Sequence, residues 1–337
     1  MDRIKGLKDL IKSEGYRKAL GLPTEPVEHY TLLAQGEYNI NYVFTHPVNG
    51  KKLLLRVNCG SQMHLADQIS YEYQALKLLE RSRRTPKVLY VDGSKTYLDH
   101  GILVMEYLPG IALSYEKDLG RAAEILSDIH SMVLTKEERS FLIEPDRPLS
   151  AILTECEDMV KTFMESPLAG EDKKRKIRHM LSLAWEMARK KEGKSPYKCL
   201  INTELNSTNF LISEENGYLI DWEKPLYGDP AQDLGHFLAP TTTFWKTDVI
   251  LGPKEVEAFL MDYIKKVNGR FDTEGIVERT MTFIPITCLR GITWCAMAWV
   301  EYQDPDKLIV NSSTMNKLTA YLSDEYLDMI LGDYLRG

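Results

Sequence analysis

The dipeptide Pro109-Gly110 separates two stretches with different hydrophobic periods, and this break constrains the fold more than any other feature of the sequence. Proline fixes its own φ and glycine accepts conformations closed to other residues, so the pair ends a regular element. Before it, residues 30–58 alternate as strands do, and Asn49-Gly50 supplies a hairpin turn between two apolar runs. The segment "DQISYEYQALKLLERS" then places Ile69, Tyr73, Leu76 and Leu79 at helical spacing, and "PKVLYVD" and "GILVMEYLPG" read as two further strands. Beyond the break the pattern is helical. Ala122, Ile125, Leu126, Ile129 and Val133 share one face of a first helix, and Ile177, Leu181, Ala184 and Ala188 share one face of a second. The basic run at positions 173–176 reads as the wet face of that second helix. Two short apolar runs around Asn216-Gly217 suggest a small hairpin, and helices resume near residues 254–268, 276–303 and 314–334. The expected architecture is α+β and two-lobed: a small β-rich lobe over residues 1–107 and a larger helical lobe over residues 108–337.

A chain of 337 residues can bury a core in each lobe, and 44% apolar with 27% charged residues is ordinary for a globular protein. The formal net charge of −7 argues against nucleic acid as a partner and suits a neutral or cationic small molecule. Five scattered cysteines, with no C-x-x-C pair, suggest neither a disulfide framework nor a zinc site, so a reducing cytoplasm is expected. The first twenty residues mix charged with apolar positions and do not read as a signal peptide. The apolar stretch 283–300 contains Pro285 and Arg290 and is followed by Glu301. It reads as a buried helix rather than a membrane span, and no membrane partner is expected.

Two neighbouring segments carry the chemistry: "LINTELNSTNFLI" at 200–212 and "LIDWEKPLYGDPAQDLGHF" at 219–237. Asp221 follows a strand-like run, and Asn209 lies twelve residues before it. A carboxylate and an amide oxygen together suit a hard cation that keeps some of its water. Phosphoryl transfer asks a protein for such a cation site, a cover and a positive charge for the phosphates, and a base or orienter for the incoming hydroxyl.

With these residues in place, the chain resembles the aminoglycoside phosphotransferase and choline kinase superfamily, relatives of protein kinases, over about residues 30 to 303. The resemblance is strongest across 199–238, which matches the family's I-D-[WF]-E…G-D-P-x-x-D-L pattern. It implies a protein-kinase-like fold and an enzyme that moves the γ-phosphate of ATP or GTP, with Mg2+, to a hydroxyl of a small molecule such as an amino alcohol, an amino sugar or an aminoglycoside. The N-terminal lobe would bind the nucleotide, and the C-terminal lobe would hold the catalytic loop and the acceptor site.

Residue by residue, the resemblance implies a phosphate-covering hairpin at "LAQGEYNINYVF", with Gly36 and Asn39 at its turn. Arg56 would bind the nucleotide phosphates and pair with Glu72. Glu106 and Tyr107 would meet the nucleotide base through their main chain, and Asn209 and Asp221 would hold magnesium. Where the family loop reads H-G-D-x-x-x-x-N, this chain reads Asn202-Thr203-Glu204 and then Asn209. Asn202 would replace the propping His, since an amide both donates and accepts. Glu204 would stand where the family has its catalytic Asp. Glu and Asp differ by only about 0.4 in unperturbed pKa, but the extra methylene moves the carboxylate, and a displacement of ~1 Å can lower a rate ~10²-fold. Two readings stay open: an active kinase, or a kinase-shaped protein that holds nucleotide without transfer. Glu223 could face the same cleft, and Asp229 and Asp233 read as braces. For the acceptor, Trp294 and Trp299 on a late helix suggest an aromatic box for an amine, with Trp245 and Lys246 as further candidates at the cleft's border.

Overall fold

The computed structural model describes residues 4–36, 38–61, 63–303 and 312–336. Glu37, in the expected phosphate-covering hairpin, lies outside them.

The N-terminal half forms one antiparallel sheet from β1 (Thr31–Gln35), β2 (Asn39–Thr45), β3 (Lys52–Asn58), β4 (Val88–Asp92) and β5 (Gly101–Glu106), in the order β1-β2-β3-β5-β4. The β2–β3 turn closes with Gly50 at φ 72, the left-handed conformation its glycine permits. Strand alternation then decides which side chains reach the cleft. On β3, Leu53, Leu55 and Val57 face α1 (Leu7–Lys12) and α2 (Glu14–Leu20), where they pack with Leu7, Leu10, Ile11 and Tyr16. Arg56 falls between them and faces the other way, toward α3 (Gln68–Leu79). On β5, Ile102 and Val104 join the first cluster, while Leu103 and Met105 join Ile69, Leu76 and Leu79 of α3.

After Glu106 the chain crosses to the helical half through Pro109-Gly110. Gly110 has φ 149, and a Cβ there would lie 2.9 Å from the Leu211 side chain, so this crossing needs glycine. Beyond it come β6 (Ile111–Ala112), α4 (Leu119–His130), α5 (Pro148–Glu165) and α6 (Glu171–Lys191). Four short strands follow: β7 (Cys199–Ile201), β8 (Phe210–Ile212), β9 (Gly217–Leu219) and β10 (Leu226–Gly228). They form two small sheets, β6-β8-β9 and β10-β7, with the Asn216-Gly217 turn linking β8 to β9. The rest is helical: α7 (Pro230–Leu238), α8 (Pro240–Lys246), α9 (Pro253–Val267), α10 (Ile276–Glu301), α11 (Ser312–Tyr321) and α12 (Asp324–Ile330).

Helix α10 is the spine of this half and packs on α5, α6, α7, α8 and α11. It is long and apolar enough to cross a bilayer, and 67% of its apolar window is buried in the protein, as a core helix requires. Gly235 lets α7 approach closely, because a Cβ there would sit 2.5 Å from Phe283 Cβ. The core does not divide at residue 107. Side chains of α3 and β5 belong to the same apolar cluster as α4 to α10, which fastens the sheet's inner face to the helical half.

The structure corrects several expectations. Val133 lies beyond the end of α4 and is exposed, so it is not on the buried face. Lys174 is buried and pairs with Glu171, so the basic run is not wholly a wet face. The expected helix at 314–334 breaks at Ser323, whose hydroxyl accepts the Tyr326 N–H and starts α12 afresh.

Candidate active site

The loop between β7 and β8 is pinned from below by one carboxylate. Asp233 on α7 is fully buried and accepts the backbone N–H groups of Asn202 (2.8 Å) and Thr203 (2.7 Å). His130 of α4 contacts the same carboxylate at 3.1 Å and Tyr263 of α9 at 2.8 Å, so α4, α7 and α9 all meet beneath the loop. Thr203 is held at φ 70, a strained value for a β-branched residue, and its hydroxyl donates to the Lys224 carbonyl (2.9 Å). Asn202 uses both halves of its amide. Its NH2 donates to the Asp221 carbonyl (2.9 Å), and its oxygen accepts the Glu204 N–H (3.0 Å). The residue in the propping position thus ties the loop to the turn that carries Asp221.

That turn is itself a strained backbone. Asp221 has φ 64, and the neighbouring Ile220 N–H donates to the Asn209 carbonyl (2.8 Å). Asn209 is buried, and its NH2 donates to the Glu204 carbonyl (2.7 Å). Arg56 reaches in from β3, pairing with Glu72 of α3 at 2.5 Å and with Asp221 at 3.2 Å, while its Nε donates to Asn41 (3.1 Å). Burial pushes the Glu72 carboxyl up to about 7, against the pull of Arg56, and the surrounding carboxylates hold Arg56 firmly protonated. Glu223 bonds to Asn39 of β2. Burial, reinforced by Asp221 and Glu204, pushes its carboxyl up to about 8.

A second charged cluster closes the other end. Arg290 of α10 forks onto Glu155 of α5 with two contacts of 3.1 Å and touches Glu204 at 3.3 Å. Lys224 reaches Glu155 at 3.0 Å. Burial works against ionisation of Glu155, yet Arg290 and Lys224 hold its carboxyl down at about 2. His236 is half-buried, lines the cavity and is neutral. Burial and the nearby Arg290 hold it down at about 3, and its Nδ1 accepts the Leu205 N–H (3.1 Å).

Several of these groups line a cavity of about 340 Å3. Gly36, Asn39, Arg56, Asp221 and Glu223 line one end. Glu204, Arg290, Thr242, Thr287, Trp245 and Trp294 line the other. The two indoles meet edge to face, with centroids 5.3 Å apart. Glu72, Asn202 and Asn209 lie behind the lining and orient it. Trp299 is elsewhere, packed on Phe163 of α5 (6.1 Å) beside a different groove. It is five positions along the helix from Trp294, about 140° around, so the two cannot share one box. Glu106 and Tyr107 do not line the cavity either. Their backbone N–H groups donate to the Lys87 and Lys52 carbonyls, at 2.9 and 3.3 Å.

The donor set fits a hard cation. Asn209 uses its NH2 on the loop, so its amide oxygen is free of that bond, and Asp221 supplies a carboxylate on a backbone tied to Asn209. Among the described residues no cluster of three His, Cys, Asp or Glu side chains could hold a metal alone. Such a pair suits a magnesium ion that takes its remaining ligands from water and phosphate.

Sequence reasoning missed Arg290, Glu155, Lys224 and the threonines. Arg290 did give a signal: a charge inside an otherwise apolar helix marks a functional site as well as excluding a membrane span.

A family model described as "phosphotransferase enzyme family" matches residues 29–273. A comparison with curated protein sequences returns no match. Among solved structures the chain is similar to a putative aminoglycoside phosphotransferase from Ralstonia eutropha, with a TM-score of 0.68 at 12% identity, covering 98% of this chain and 97% of that one. It is also similar to choline kinase from Cryptosporidium parvum, with a TM-score of 0.65 at 14% identity, covering 97% and 96%. A third likeness is to a spectinomycin phosphotransferase in complex with ADP and spectinomycin, with a TM-score of 0.62 at 12% identity, covering 90% and 92%. At these identities the likenesses establish the kinase-like fold.

Proposed function

The chain belongs to the phosphotransferase enzyme family, and on that premise we propose that it moves the γ-phosphate of ATP to a hydroxyl group of a small molecule. The observation that carries this reading is the convergence on one cavity of Arg56, Asp221 and Glu204, contributed by β3, the turn after β9 and the loop after β7. Glu72 holds Arg56 where it can meet phosphate oxygens, and the Gly36 turn covers them. Asn209 and Asp221 would hold magnesium, which when bound neutralises charge on the phosphate oxygens. Glu204 lines the same cavity and would accept, or orient, the proton of the attacking hydroxyl. The indoles of Trp245 and Trp294 give the acceptor an apolar wall, and the Thr242 and Thr287 side chains give it polar contacts.

One observation favours a second reading, a protein that binds nucleotide without transferring phosphate: Glu204 already has a cationic partner in Arg290. Incubation with magnesium and γ-labelled ATP or GTP, against amino alcohols, sugars, nucleosides and aminoglycosides, separates the two. Label should appear on an acceptor with the native protein and not with Asp221→Ala. Nucleotide-dependent thermal stabilisation with no transfer to any acceptor would establish the second reading. Neither transfer nor stabilisation would sink both.

A further inference from the structure

The loop backbone leaves Glu204 little latitude. Its N–H is fixed by Asn202 and its carbonyl by Asn209, and the next N–H is fixed by His236. What remains free is the side chain, one methylene longer than an aspartate and with one more torsion to order. A base with that freedom spends most of its time out of line with a hydroxyl. The structure supplies a restraint from outside the loop. Arg290 touches one oxygen of Glu204, and Arg290 is itself held in a fixed plane by its fork onto Glu155. Lys224 shares the Glu155 oxygen that accepts from Arg290, at 3.0 Å, and so holds that carboxylate in place. The four charges alternate in sign from Lys224 to Glu204, so the row is close to neutral as a whole. Among the described residues the other carboxylate oxygen of Glu204 has no hydrogen-bond partner, and Glu204 lines the cavity that Asp221 also lines.

We propose that Arg290, fixed by Glu155 and Lys224, is a positioning residue that offsets the extra length of Glu204: one carboxylate oxygen anchors on the guanidinium so that the other is presented to the acceptor hydroxyl. The inference rests on the phosphotransferase reading for its consequence in rate, but the geometry it asserts holds with or without turnover. It also explains why a longer carboxylate suits this loop. An aspartate on the same backbone would hold its carboxylate one methylene farther from Arg290, which Glu204 meets at 3.3 Å.

The test uses the full chain with Arg290→Met, Arg290→Lys, Glu204→Asp and the double variant Arg290→Met/Glu204→Asp. Binding of ATP with magnesium is measured by calorimetry, turnover as phosphate released to water, and the Glu204 position in crystals grown with AMP-PNP and magnesium. Arg290→Met should leave ATP affinity within about twofold and lower kcat by about 10²-fold, the loss expected for a misplaced group. Arg290→Lys keeps a cation and should recover part of that loss. The double variant should be no slower than Arg290→Met alone, because both changes break the same link. In the crystals the Glu204 carboxylate should leave its native place in Arg290→Met while Asn209 and Asp221 stay where they are. A Glu204 carboxylate that does not move, or rate losses that multiply in the double variant, would overturn the proposal. If Arg290→Met does not fold, Arg290→Lys carries the same readouts, and an unmoved Glu204 with native kcat again overturns it. Native protein that fails to bind ATP would instead sink the phosphotransferase reading, and the crystallographic comparison would still judge the positioning role.

Discussion

At the scale of single residues, Asp233 is the brace of the loop between β7 and β8, although it does not line the cavity. Its carboxylate accepts two consecutive backbone N–H groups from a segment whose φ at Thr203 is 70, so the strain is held by bonds rather than relieved. Asp233→Asn would turn an NH2 toward one of those N–H groups and leave a buried donor unsatisfied. The loss should be about 3 kcal/mol of stability, within the range for breaking a buried charge-assisted network, readable as a lower urea midpoint. Hydrogen exchange at Asn202 and Thr203 should quicken first; if it stays at the native rate, the brace lies elsewhere. The bracing role of Asp233 was legible from the G-D-P-x-x-D-L pattern. Its partner His130 was not, because the two are 103 residues apart and nothing local links them.

Among the elements, the seam between α5 and α10 sets the charges beside Glu204. The apolar positions of α5, Leu149, Leu153, Cys156, Val160 and Phe163, fall at three- and four-residue steps. The helix is nonetheless absent from the sequence reading: Pro148 marks its start, but it carries no side-chain cap and no acidic residue in the first turn. With it went Glu155, which meets Arg290 across 135 residues of chain. Strands, hairpin turns and the other long helices were readable because their signals are periodic and local. The ion pairs that join them are neither. The seam has a pH signature. Arg290 and Lys224 hold the Glu155 carboxyl at about 2 in the folded protein, below the ordinary value of about 4.3. As pH falls from about 5 toward 2 the unfolded chain takes up a proton there before the folded one does, so this contribution is present above that window and lost within it. Glu155→Gln lacks it. Urea unfolding should therefore show native protein more stable than Glu155→Gln at pH 7, with the gap closing toward pH 3. A gap independent of pH would mean that the charge of Glu155 does not matter to the fold.

For the whole molecule, the two-lobed α+β plan was legible from the break at Pro109-Gly110, and the kinase-like likenesses agree with it. The single apolar cluster running from the sheet's inner face into the helices was not legible, since a hydrophobic period reports which face is buried but not against what. The candidate metal pair, Asn209 and Asp221, was implied by the family resemblance, since their spacing alone is ordinary turn chemistry. Of the tryptophans expected to meet an acceptor, Trp245 and Trp294 line the cavity, whereas Trp299 packs elsewhere. What the molecule as a whole achieves is to bring Arg56 from the sheet and Glu204 and Arg290 from the helical half around one cavity. The central claim is that Glu204 serves there as the carboxylate for transfer. The most direct test is the single-turnover rate of γ-phosphate transfer to an accepted hydroxyl, compared between native protein and Glu204→Gln at saturating ATP and magnesium. The account predicts unchanged nucleotide affinity and a rate lower by about 10²- to 10⁴-fold, the span typical of losing a general base. Full transfer by Glu204→Gln would contradict it.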